Sequence, residues 1–178
     1  MNDEKRYERV RLKMLEERKK HPFSLNHLQF DRLELPATEE EIEAVQNYIG
    51  HPLPELYKEI CRHFNEGLLK LNCFEDVEGR MCKIGFFFRV TNEEKNNYHI
   101  WQVIRNFRDE LTKDCLPFAD DSLGLSAFYL IWVNDIVEVW QLLHGELAWS
   151  FSGCDDEDDN YYCHVLVNKS FDVFLESL

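Results

Sequence analysis

The stretch from Glu34 to Gly67 constrains the fold of this 178-residue chain most, because it reads as two helices joined by a tight turn. Thr38 is a good N-cap, and Glu41 three residues on can reach back to the cap's own amide, a capping box that starts the first helix. Ile42, Val45 and Ile49 then recur at helical spacing, and Gly50 can take the left-handed conformation that ends a helix at little steric cost. Pro54 restarts a helix at its first position, where the missing amide would be unpaired anyway. Leu53, Tyr57, Ile60, Cys61 and Phe64 form the next apolar stripe, which Asn65 and Gly67 stop.

Beyond this helix pair the chain reads mainly as sheet. Residues 67–74 and 79–90 look like two antiparallel strands around a turn at 75–78, and Ile84, Phe86, Phe88 and Val90 alternate as one half-buried face. A helix is then expected with Ile100, Ile104, Phe107 and Leu111 on one side. Residues 125–133 are apolar on both faces, as a central strand requires, and Asn134-Asp135 turns the chain into a strand over 136–143. His144-Gly145 turns again into 146–151, so the simplest reading is a three-strand meander, with one more strand at 161–167 and a short helix at 170–178 after it. The expected class is α+β, with N-terminal helices followed by a mainly antiparallel β-sheet, a helix insertion and a C-terminal helix. Residues 2–20 form a further helix, acidic at its start and basic at its end to suit the helix dipole, with Tyr7, Val10, Met14 and Leu15 as its apolar stripe.

The run Leu35-Pro36, Glu41, Ile42, Gly50, Leu53-Pro54, Tyr57 and Asn65-Glu66-Gly67 resembles the opening signature of the SUKH superfamily. That superfamily covers the Smi/Knr-type regulators of yeast cell-wall synthesis and many bacterial toxin-immunity proteins. Its usual Asn-Gly-Gly closing is broken here by Glu66. Leu116-Pro117-Phe118-Ala119-Asp120-Asp121 ahead of Gly124 is similar to a second part of the pattern, read here as a turn before a strand, and Ser170-Phe171 with Phe174-Leu175 resembles its closing helix. The resemblance implies a SUKH-like domain over 34–178, with 1–33 an added basic helix and linker. It also implies a protein that works by binding another protein, in immunity or in regulation.

Charge points the same way independently. The chain carries 34 acidic against 20 basic side chains, yet its first 21 residues hold eight Lys or Arg and only five Asp or Glu. From Asp114 onward there are 13 acidic residues and a single lysine, Lys169. Such a half repels phosphate, which excludes nucleic acid and an anionic membrane as its partners and favours a basic protein. No apolar run reaches the ~20 residues of a membrane helix and the N-terminus carries no signal-peptide segment, so a soluble cytoplasmic protein is expected. The oligomeric state is not legible. The six scattered cysteines read as buried reduced thiols.

Motifs for chemistry are missing. There is no nucleophile elbow, no glycine-rich phosphate loop and no Cys-x-x-Cys pair, and Cys163 and His164 are adjacent on a strand and so point apart. No catalytic residue, metal or cofactor is assigned. The acidic run Asp155, Asp156, Glu157, Asp158 and Asp159 lacks the mid-loop glycine and terminal glutamate of a calcium loop. It is read either as a solvated loop or as an anionic patch that speeds and selects association with a basic partner. With Tyr161 and Tyr162 as aromatic anchors and Asp120 and Asp121 as further acids, it is the candidate partner site. The cognate partner expected is a basic, nuclease-type toxin, and the alternative is a regulatory interaction module.

Overall fold

The computed structural model describes residues 3–31, 34–70, 72–92, 99–121, 126–144 and 162–178. Helix α1 (Asp3–Lys20) turns Val10 and Met14 into the core and packs on α3 (Glu55–His63), while Tyr7, Leu12 and Leu15 stay exposed. Only half of its apolar stripe is therefore covered. The segment after it is pinned by Phe23, Leu25 and Leu28, all buried in the same core, and by Phe30 stacked on Phe64 at 4.2 Å between ring centroids.

Helix α2 (Glu39–Ile49) starts as its sequence dictates: Thr38 N donates to Glu41 Oε2 (2.9 Å) and Glu41 N donates to Thr38 Oγ1 (3.2 Å). The other carboxylate oxygen of Glu41 accepts from Thr91 Oγ1 and Asn92 N, so the cap also clamps the chain beyond the sheet's third strand. Gly50 ends the helix at φ 84°. Pro54 stands one position earlier than expected, as the residue flanking α3, and accepts from Lys58 N. Arg62 of α3 grips Glu39 with two hydrogen bonds of 2.7 and 2.9 Å and fastens the helices together.

The end of α3 explains the closing signature. Asn65, buried at φ 37°, donates through Nδ2 to Leu35 O and Val90 O and accepts through Oδ1 from Val90 N, all at 2.9 Å. One amide thus ties the entry to α2, the exit of α3 and the segment at Val90. Glu66 comes next at φ 132°, a backbone region that glycine adopts freely and other residues hold under strain.

The sheet is antiparallel throughout, in the order β1 (Gly67–Leu68), β3 (Met81–Phe87), β4 (Leu116–Asp121), β5 (Ala127–Val133), β6 (Ile136–His144), β7 (Tyr162–Asn168), with β2 (Cys73–Glu75) also pairing β3. Helix α4 (Ile100–Asn106) lies between β3 and β4 in sequence, and α5 (Phe171–Glu176) closes the chain. Phe118 of β4 packs against Phe171 and Phe174 of α5 and Tyr57 of α3, an aromatic core between one sheet face and the helices.

Three local readings of the sequence are corrected. The alternation expected from Ile84 to Val90 breaks at a bulge between Ile84 and Phe87, so Phe87 faces the core and Phe86 does not. Residues 116–121 form a strand and not a turn; Pro117 is accommodated because the β4–β5 register shifts between it and Ala119. Helix α4 stops at Asn106, and Leu111 is delivered by the turns after it. Strand β7 pairs on β6 with Leu142 opposite His164, and the strand expected at 146–151 lies outside the described residues.

Candidate partner-binding face

The sheet collects several predicted site residues at one end. Asp120 on β4 lies opposite Ala127, Ala127 opposite Leu142, and His144 opposite Tyr162. Asp121 on β4 and Tyr162 on β7 therefore sit at the same end of the sheet, about 14 Å apart across three strand spacings. The acidic run Asp155, Asp156, Glu157, Asp158, Asp159 and Tyr161 fall outside the described residues, as does Cys154.

The two adjacent aspartates do different things. At the bulge the backbone ladder is interrupted, and Asp120 Oδ1 takes over by accepting from Phe86 N at 2.6 Å. Gly85 makes room for it: a Cβ there would lie 2.5 Å from Asp120 Oδ1 and from the Asp121 carbonyl oxygen. Burial pushes the Asp120 carboxyl up to about 6, and the negative charge of Asp121 adds to the shift. Asp120 is thus held inside the sheet, while Asp121 is half-buried at the strand end.

The sheet face turned away from the helices carries a second apolar cluster of Leu111, Cys115, Tyr129 and Leu142, against which Phe107, Ile131, Trp140 and Tyr162 pack. The cluster borders a cleft of about 240 Å³. The register builds it: Tyr129 lies opposite Trp140, Ile131 opposite Glu138, and Trp140 opposite Leu166. Tyr129 Oη shares a 2.7 Å hydrogen bond with His164 Nδ1, and Trp140 Nε1 donates to Glu138 Oε2 at 2.9 Å. Glu110, from the turns after α4, reaches the same cleft and hydrogen-bonds Tyr162. Burial lowers the basicity of His164, so at neutral pH its imidazole adds no positive charge to the cleft.

Of the predicted residues that the structure describes, Tyr162 alone packs on this cluster; Tyr129, Trp140 and Glu110 escaped the sequence reading, which considered His164 only beside Cys163. A signal was there. Pairing the strands around Asn134-Asp135 places Tyr129, Trp140, Ile131 and Glu138 on one face by two-residue alternation alone. Glu110 and Leu111 have no such signal, because they come from turns whose path depends on where α4 ends.

Burial pushes the thiol of Cys61 up to about 12 and raises those of Cys82 and Cys115, so these cysteines stay protonated at neutral pH. Among the described residues no three His, Cys, Asp or Glu side chains gather as a metal site, and no helix is long and apolar enough to cross a membrane. Fold and face together define an α+β domain that buries one side of a single antiparallel sheet under helices and leaves the other side with an aromatic and acidic surface.

The chain belongs to the SMI1 / KNR4 family (SUKH-1), which matches residues 36–177. A comparison with curated proteins returns no match. The family comprises immunity and Smi/Knr-type regulatory domains that act on partner proteins. Helix α1 lies wholly outside the matched region.

Proposed function

We propose that the protein is a non-enzymatic immunity protein that neutralises a basic, nuclease-type toxin through its acidic surface. The observation that carries this reading is the charge asymmetry: 13 acids and one lysine from Asp114 onward, the part of the chain that forms β4–β7. A toxin that grips phosphate presents a basic surface, and an acidic inhibitor can cover that surface with favourable steering. Asp155 to Asp159, with Tyr161, Tyr162 and Asp121, are the contact residues; Asp120 acts through the strand it holds.

The test is to replace Asp155 to Asp159 by Asn and Ser and measure association with the cognate toxin at rising salt. Association should slow at least tenfold at low salt, with a flattened salt dependence. Unchanged kinetics and unchanged protection of toxin-bearing cells would remove the acidic run from the interface. A Smi/Knr-type regulatory module is the second reading, favoured by the exposed Tyr7, Leu12 and Leu15 on a helix the family match does not include. Partner capture that ignores both salt and the acidic run would point there.

A further inference from the structure

The outer-face cleft has the chemistry of a receptor for one particular side chain. Its accessible wall is the half-buried Trp140 ring with Ile131, set over the buried Tyr129 and Leu111, which gives flat apolar surface. Its volume of about 240 Å³ exceeds the ~150 Å³ at which an engineered apolar cavity takes up benzene, so one long side chain fits. An apolar ligand alone would leave one group unserved. Glu110 Oε2 is buried and has no hydrogen-bond partner among the described residues, although the opposite side of this carboxylate meets Tyr162. A buried carboxylate oxygen without a donor is costly, and the cleft is where a donor would enter.

From this we infer that the cleft is a socket for an arginine side chain of the protein partner. The inference rests on the reading of the molecule as a binder of a basic protein. A guanidinium is planar, stacks on Trp and Tyr faces, and offers paired donors to a carboxylate, whereas a lysine ammonium matches neither the flat walls nor the fork geometry. Glu138, opposite Ile131 on the same sheet face, accepts from Trp140 Nε1, which fixes the indole and adds negative charge beside it. His164, neutral and tied to Tyr129, does not oppose a cation.

Titrating the full-length protein with Nα-acetyl-arginine amide tests this without any partner, by following the Trp140 indole N–H and His164 ring resonances. A saturable shift is expected with the arginine amide, a weaker one with the lysine amide and none with the norleucine amide. Glu110→Gln, with its thermal unfolding checked against wild type, should weaken arginine binding about tenfold. Equal response to norleucine would make the cleft a plain apolar groove and overturn the socket, as would silence of both resonances in the folded protein. A toxin that binds through the acidic run while Trp140 ignores arginine overturns the socket alone. Arginine binding without any salt-sensitive partner would leave the socket standing and sink the immunity reading.

Discussion

Asp120 keeps its charge at an energetic cost, because it is buried and Asp121 is next to it, yet its position at the bulge makes an acceptor indispensable. Its carboxyl is raised from 3.8 to about 6, so between about pH 4 and 6 the native state holds a proton that the unfolded chain has released. The stability this supplies is present below pH 4 and is lost as pH rises through 6. His63 runs in the opposite sense. Burial lowers its basicity, with Nε2 on the His21 carbonyl oxygen, so its contribution is present at neutral pH and is lost on acidification. Asp120→Asn keeps an oxygen for Phe86 N and removes the charge. It should raise stability at pH 7–8 by up to about 2–3 kcal/mol and erase the decline between pH 4 and 6. Thermal unfolding of both proteins across pH 4–8 checks this; a variant less stable than wild type at pH 8 would show that the carboxylate charge itself is needed.

The helix pair shows why a signature residue can matter more than a cap. Thr38 satisfies one amide at an exposed helix start, which is worth about 1 kcal/mol. Asn65 satisfies three groups from two other segments, both polar atoms of Val90 in the interior and the part-buried Leu35 carbonyl, and its loss would strand all of them. Thr38→Ala should therefore cost about 1 kcal/mol and Asn65→Ala about 3 kcal/mol or more, measured by denaturant unfolding. Equal costs would mean that Asn65 is a turn former and nothing else. Capping box, stripes and Gly50 were legible because each is a local pattern within four residues. The β3 bulge and the strand at 116–121 were not, since Gly85, Pro117 and Asp120 declare their roles only when β3 and β4 lie side by side.

Taken whole, the molecule joins its added N-terminal helix to the core of the family domain. Removing residues 1–21 takes Val10 and Met14 out of that core and uncovers Phe64, over which Arg18 lies at 6.0 Å. Two such side chains are worth about 3–5 kcal/mol together, so the truncated protein should melt about 10 °C lower than the full chain, by calorimetry. An unchanged melting temperature would show the helix to be a detachable arm. Sequence alone determined the helix pair, the central strands, the family and the acidic half, because periodicity, caps and charge are properties of neighbouring residues. Only the tertiary structure decided that Asp120 turns inward while Asp121 does not, and that Glu110 joins Tyr129 and Trp140 in one cleft. Those outcomes depend on the β3–β4 register and on where α4 ends, and both are set by packing between segments far apart in the chain.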